Sequence, residues 1–341
     1  MSLLPFLHSV CERHDLSSDQ ALAAMQAILS GGATPVQIAA FLVALRMKGE
    51  TVDELVGFAR AMRQMAEPID HGLCGETLLD TCGTGGDGLA TFNISTVVAF
   101  VVAGAGVRVA KHGNRSISSR CGSADLLEML GVRIPMSPAN CARAIREIGI
   151  GFLFAPAIHT ATRHAHPVRT ELKMRTVFNL LGPLTNPAGA TAQLAGAPST
   201  HFAGLIAGAL ASLGLRHGFV VHGSDGLDEI TTTGCTVAFE IQEGRVERRS
   251  LAPSDFGVAI AQPEDLKGGD PATNCAIARA ILNGAAGPHR DIVLVNAAAA
   301  LTAAGAARDF RAGMELAAAA IDSGAARAKL DALARFTNGT A

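Results

Sequence analysis

Tryptophan and tyrosine are absent from this 341-residue chain, and phenylalanine numbers only 14. The core must therefore be aliphatic, drawn from the 49% of residues that are hydrophobic. Cysteine is sparse and unpatterned. Seven occur, at Cys11, Cys74, Cys82, Cys121, Cys141, Cys235 and Cys275, an odd number with no CxxC spacing. Neither a disulfide framework nor a structural zinc site is supported, and buried reduced thiols in a cytosolic protein are the expectation. An excess of either charge is also missing: 28 basic and 30 acidic residues leave a formal charge of −2. That balance excludes wholesale binding to nucleic acid or to a membrane surface. The longest apolar runs, such as 94–107, fall well short of the ~20 residues that a membrane span requires. The N-terminus lacks a signal-peptide pattern. The expectation is a soluble, cytoplasmic protein of one large domain or two ordinary ones.

What is present begins with helix signals. Ser17 with Gln20, Thr34-Pro35 with Gln37, and Thr51 with Glu54 each read as a capping box. Gly31-Gly32 and Gly49 supply stops. Residues 1–70 are thus expected to form a small helical domain, joined by part of 160–190. From about residue 75 strand and helix patterns alternate. Strands are expected at Leu78–Cys82, Val107–Ala110, Phe152–Phe154, Phe219–Val221, Thr236–Ile241 and Ile292–Val295. Helices are expected from Ile94 to about Ala105, from Ala124 to Leu130, from Ser137-Pro138 to Ile148 and from Asp270-Pro271 to Asn283-Gly284. Val237–Ile241 and Val246–Leu251 flank Glu243-Gly244 as a hairpin. The last 45 residues read as alanine-rich helix with close packing. Together these predict an α/β fold in which a mainly parallel central sheet, over residues 75–341, carries a small helical N-terminal domain.

Three loops follow expected strands, where α/β sheets bind their ligands. The first, Gly83-Thr84-Gly85-Gly86-Asp87-Gly88, lacks the Cβ atoms that keep a backbone away from a ligand. Asn93-Ile94-Ser95-Thr96 then opens a helix whose first amides suit an anion. The second begins at Lys111 and carries Lys111, His112, Arg115 and Arg120 with Asn114 and three serines, but no acid. Such a set suits phosphate or diphosphate. The third, after Phe219–Val221, ends in Asp228-Glu229, adjacent carboxylates able to hold hydrated Mg²⁺ on a phosphorylated substrate. A fourth segment, RHAHPVRTELKMR, offers Arg169, beyond the helix-breaking Pro167, as a partner for a substrate carboxylate. The connector Phe178–Pro187 is rigid by its composition and is expected to line a pocket, but sequence assigns it no chemistry. Nothing resembles a Ser-His-Asp nucleophile system.

GTGGDG, NIST, KHGNRSISSRCGSADLLE, RHAHPVR, FNLLGPLTNP and DGLDE occur here in the order seen in the anthranilate phosphoribosyltransferases, which the chain resembles over nearly its whole length. Pyrimidine nucleoside phosphorylases share the fold but resemble KHGGRS, so Asn114 favours the transferases. A non-catalytic nucleic-acid-binding relative is a third reading, disfavoured by the near-neutral charge. The resemblance implies that Gly83, Gly86, Asp87, Thr91, Asn93, Ile94, Ser95, Thr96, Lys111, His112, Gly113, Asn114, Arg115, Ser116, Ile117, Ser118, Ser119 and Ser123 hold 5-phospho-α-D-ribose 1-diphosphate. It implies Mg²⁺ on Ser95, Asp228 and Glu229, and anthranilate against Gly83, Asn114 and Arg169. It also implies a homodimer joined through the helical domain. His112 is a candidate proton acceptor for the amine, with a plain hydrogen-bonding role as the alternative. Cys82 and Cys121 stand where other small residues are common in the family, and both are read as packing residues.

Overall fold

A computed structural model describes residues 2–85, 88–116 and 120–339. Four helices lead the chain: α1 (Leu4–Cys11), α2 (Ser18–Leu29), α3 (Pro35–Lys48) and α4 (Val52–Met65). The three expected capping boxes start α2, α3 and α4, with each cap's side chain and its residue-N3 partner bonded reciprocally. Gly49, at φ +92°, ends α3. Glu54 does more than cap. Fully buried, it accepts from Thr51 N and Leu16 N and pairs with Lys48 Nζ at 3.1 Å.

The α/β part runs β1 (Leu78–Asp80), α5 (Ile94–Gly104), β2 (Arg108–Gly113), α6 (Ser123–Met129), α7 (Pro138–Glu147), β3 (Ile150–Phe154), α8 (Ala155–Ile158), α9 (His166–Leu172), β4 (Ala192–Gly196), α10 (Thr200–Ser212) and β5 (His217–Gly223). The hairpin β6 (Thr236–Gln242) and β7 (Arg245–Leu251) follows, then α11 (Pro271–Leu282), α12 (Pro288–Ala303), α13 (Phe310–Asp322) and α14 (Ala325–Gly339). The sheet order is β3-β2-β1-β4-β5-β6-β7. Its first five strands are parallel and the last two antiparallel. Connections run outward from β1 in one direction and from β4 in the other. The topological switch, and with it the ligand crevice, therefore lies at the carboxyl ends of β1 and β4.

Three expectations are corrected. Ile292–Val295 is not a strand but part of α12, which is buried on every side. An apolar run with no exposed face shows neither a period of two nor one of 3.6, so β-branched content alone misleads. Strand β4 was not foreseen. Ala192-Gln193-Leu194-Ala195-Gly196 has no β-branched residue, and pairing to β1 and β5 makes it a strand. Strand β2 runs on to Gly113, so Lys111 and His112 belong to the sheet, each about 3% exposed, and not to the loop.

Two apolar clusters fill the molecule. One packs the sheet with α5, α6 and α7 and the four C-terminal helices, of which α12, α13 and α14 lie directly on α5. The other joins α1–α4 to Ala165, Val168, the 177–184 connector, α10 and the side chains of Val220 and Ile241. With few aromatic residues, helices approach closely through small ones. A Cβ on Gly57 of α4 would run into the Ser18 carbonyl and Ala21 of α2, and one on Gly104 of α5 into the backbone of Ala326. Among the described residues no helix is long and apolar enough to cross a membrane. Gly57→Ala should therefore destabilise the protein by about 1–3 kcal/mol through overpacking. A lowered urea midpoint checks this, and an unchanged one would refute so close an α2–α4 crossing.

Candidate functional site

The loops leaving β1, β2 and β5 meet over the switch point. Gly83 follows β1 closely enough that a Cβ would lie 3.1 Å from Asp228 Oδ2, and a Cβ on Gly196 would strike the Asp228 carbonyl. Thr84 N donates to Gly196 O at 3.0 Å, and Gly85 N to Asp228 Oδ2 at 2.8 Å. Beside them Ser95 N, in the first turn of α5, donates to Glu229 Oε1 at 3.2 Å. The expected anion-binding amide of this helix end is thus engaged by a carboxylate of the chain itself. Hard oxygen donors, the two carboxylates and the Ser95 hydroxyl, converge here, a donor set suited to Mg²⁺.

Beneath this surface lies a buried ionic centre. Asp80, at the end of β1, has no solvent exposure. Its Oδ1 accepts from His112 N at 3.1 Å and its Oδ2 from Asn186 Nδ2 at 2.8 Å. Burial pushes its carboxyl up to about 6, against the opposing pull of Lys111 and these hydrogen bonds. Lys111 reaches forward: its Nζ donates to Thr81 O at 3.1 Å and Thr81 Oγ1 at 3.3 Å, and meets Ser95 Oγ at 3.4 Å. Sequence gave no hint of Asp80 or Asn186.

His112 donates through Nδ1 to Gly182 O at 3.1 Å, which leaves the lone pair on Nε2. That Nε2 is buried without a hydrogen-bond partner among the described residues. Its ring lies 5.1 Å from that of His159, which is also buried. Burial, helped by the neighbouring imidazole, lowers His112 to about 3; burial lowers His159 to about 4. Both rings are neutral at pH 7. Asp80, Cys82 and His112 offer ligand atoms within 4.8 Å of one another. Burial holds the Cys82 thiol protonated and Asp80 already serves the backbone and Asn186, so this is packing and not a metal centre.

A cavity of about 330 Å³ opens above. The described residues that the family resemblance nominated all line it: Gly83, Thr91, Asn93–Thr96, Lys111–Ser116, Ser123, Arg169, Asp228 and Glu229; Arg120, grouped with the second loop by its charge, does not. Gly86, Asp87, Ile117, Ser118 and Ser119 were nominated too and lie outside the described residues. Arg115 differs in one respect. Its guanidinium pairs with Asp125 at 2.9 Å and Glu128 at 2.6 Å, acids supplied by α6 just beyond the loop. Asn114 and Ser123 brace one another, Asn114 N to Ser123 Oγ and Ser123 Oγ to Asn114 O, both at 3.1 Å. Arg169, on α9 with Pro167 in the first turn, lies 4.9 Å from the Phe178 ring centroid. Burial lowers its guanidinium, and no carboxylate pairs with it among the described residues. That cation is poised for an anion.

The sequence missed several lining residues. Thr84 brings a buried hydroxyl oxygen with no partner among the described residues, as does the nominated Thr96. The 177–184 connector contributes Phe178, Asn179 and Gly182. Arg175 lines the cavity and donates to Gly85 O at 3.0 Å, while its own carbonyl accepts from Arg46 of α3 at 2.9 Å. Proline and glycine density marked the connector as a rigid pocket wall, as it is, but which of its residues reach the cavity depended on the fold.

Two family models match the chain: the helical bundle domain of a glycosyl transferase family over residues 4–66, and its a/b domain over residues 75–327. An anthranilate phosphoribosyltransferase of Solibacter usitatus is 72% identical over 336 residues, covering 98% of this chain and 99% of the relative. The crystal structure of an anthranilate phosphoribosyltransferase from Thermus thermophilus matches with TM-score 0.92 and 44% identity, over 97% of this chain and 99% of that one. A Saccharomyces cerevisiae anthranilate phosphoribosyltransferase, in complex with PRPP and Mg, matches with TM-score 0.91 and 28% identity, over 99% and 98%.

Three of these groups fix an acid response. Between pH 6.5 and 4 the unfolded chain binds protons that buried His112 and His159 refuse, so stability falls as pH drops. Asp80 acts oppositely, because its raised folded value lets the native state take a proton first between about pH 6 and 4. Two histidines against one carboxyl leave a net loss of about 1.4 kcal/mol per pH unit. Urea midpoints measured from pH 7 to 4 should show that fall, and His159→Gln should flatten it. An unchanged slope in the variant would contradict a neutral buried His159.

Proposed function

Because the chain belongs to the anthranilate phosphoribosyltransferase family, we propose that its reaction takes place in the cavity over β1 and β4. The enzyme transfers the 5-phosphoribosyl group of 5-phospho-α-D-ribose 1-diphosphate to the amine of anthranilate, giving N-(5-phosphoribosyl)anthranilate and diphosphate, in L-tryptophan biosynthesis and with Mg²⁺. The reading of the site rests above all on one observation. The glycine loop, the first turn of α5 and Asp228-Glu229 are hydrogen-bonded into a single surface beside Lys111.

In this reading the donor lies on Gly83, Gly86, Asp87, Thr91, the 93–96 helix start, the 111–119 segment and Ser123. Its diphosphate faces the cationic side. Ser95, Asp228 and Glu229 hold Mg²⁺, which when bound neutralises charge building on the diphosphate as it leaves. Lys111, fixed by Thr81 and anchored over Asp80, supplies a second, preorganised positive charge. Anthranilate lies against Gly83 and Asn114, and its carboxylate meets Arg169. A guanidinium held on Phe178 is restricted in orientation before the substrate arrives. The amine nitrogen attacks C1 as the bond from C1 to the diphosphate oxygen breaks, and the nitrogen then loses a proton. With its conjugate acid near 3, His112 is too weak a base to hold that proton at neutral pH. Its Nε2 lone pair suits a hydrogen bond from the amine that orients it.

The rest of the proposal concerns assembly and place. Residues 1–70 with part of 160–190 form one domain and 75–341 the other. The chain forms a homodimer through α3, where Val36 and Met47 are 78% and 71% exposed and, with exposed Ala40 and half-buried Val43, make a stripe at helical spacing. Its near-neutral charge and reduced-thiol composition fit the cytoplasm.

The direct test is the loss of anthranilate fluorescence on adding the ribosyl diphosphate and Mg²⁺; no loss with folded protein would reject the reading. Arg169→Ala should raise KM for anthranilate by roughly 10- to 100-fold, the cost of a charge-assisted hydrogen bond, and KM for the donor much less. Equal effects on both would remove the carboxylate role. Asp228→Ala with Glu229→Ala should abolish Mg²⁺-dependent turnover, and a metal titration unchanged by both substitutions would unseat the acidic pair.

A further inference from the structure

We propose that Asn274, on α11 and outside the cavity, is a positioning residue for donor binding that acts through Asn93. The inference rests on the reading that the start of α5 holds the ribosyl diphosphate. Asn274 is only 2% exposed, and both ends of its amide are committed. Its Oδ1 accepts from Gly269 N at 2.7 Å and its Nδ2 donates to Asn93 Oδ1 at 3.1 Å. Asn93 passes the connection on, donating through Nδ2 to Cys121 O at 2.9 Å.

The ends of this relay fix its direction. Gly269 N can only donate and Cys121 O can only accept, so both amides have one satisfying orientation. Asn93 therefore cannot rotate freely, although it makes no cap hydrogen bond to its own helix. The relay ties the 269–274 segment to the start of α5 and to the far end of the loop after β2. The backbone beside it is equally close. Gly268 N donates to Ala90 O at 2.9 Å, Thr91 bridges Lys267, and a Cβ on Gly268 would collide with Phe92 N and Asn274 Oδ1. The 267–274 segment is a buttress under residues 90–93, and Asn274 links it through a side chain to Asn93, which lines the cavity.

The second asparagine of the C-terminal layer, Asn296, makes a different kind of contact. It clamps the backbone N and O of Ile230, both at 2.9 Å, just after the acidic pair. That clamp fixes a peptide, whereas Asn274 fixes the rotamer of a lining side chain.

Asn274→Leu removes both bonds, and with them a side-chain contact to the Cys121 thiol at the far end of the same relay, at nearly constant shape. Asn274→Ser, which should fold if the leucine variant does not, keeps a hydroxyl that can accept from Gly269 N but cannot reach Asn93. Each should raise the donor KM by about tenfold, the usual size of a supporting-residue effect, with KM for anthranilate and the melting temperature nearly unchanged. Asn93→Ala should raise the donor KM as well, and adding Asn274→Ser to it should raise it no further, because the second residue acts only through the first. Multiplying effects, or equal rises in both KM values, would overturn the proposal. The wild-type chain separates this from the parent reading. If it shows no transferase activity the parent reading fails; if it turns over and the variants match it, only the role of Asn274 fails.

Discussion

A carboxylate and an ammonium group share the dry space under the catalytic cavity, and the rest of the site depends on them. Asp80 ends the central strand and Lys111 sits in the next one, so neither can move without the sheet. Burying two charges costs several kcal/mol unless every lone pair and proton is used. Here His112 N and Asn186 Nδ2 serve the acid, and Thr81 and Ser95 receive the base. The arrangement gains little stability. It gains placement: a positive charge held at one point under the cavity, with few ways to relax.

The same economy governs the neighbouring groups. Each element at the switch point satisfies another's polar group. The glycine loop donates to Asp228, the first turn of α5 to Glu229, and β2 to Asp80. Glycines at 83 and 196 are required where backbone meets the acidic pair. The surface is thus held in one arrangement by the chain's own groups. Arg169 belongs to another layer, resting on the ring of Phe178 in the connector. That guanidinium and the acidic pair are thus held by different parts of the fold.

Much of this was written locally in the chain. The capping boxes of α2, α3 and α4 were legible because they span four residues each and need no distant partner. The loop motifs were legible because ligand-binding backbone requires glycine and hydroxyl residues at fixed spacing. What escaped was set by tertiary contact. Strand β4 lacks strand-forming side chains and exists by virtue of its neighbours. Ile292–Val295 carries a strand composition inside a helix buried on every side. The extension of β2 through Lys111 and His112 turned two apparent loop cations into core residues. Arg115 seemed unopposed because its acids come from the following helix. Asp80 and Asn186 lie 106 positions apart, so no local pattern could join them.

Arg46 of α3 holds the carbonyl of Arg175, whose guanidinium holds the carbonyl of Gly85. Two hydrogen bonds therefore separate the outer helix of the bundle from the turn that cradles a substrate. The exposed stripe of α3 and the wall of the cavity are mechanically in series. Remodelling that helix would thus also tug on the glycine turn, and a loss of turnover on altering its outer face would not by itself show that the face has a partner of its own.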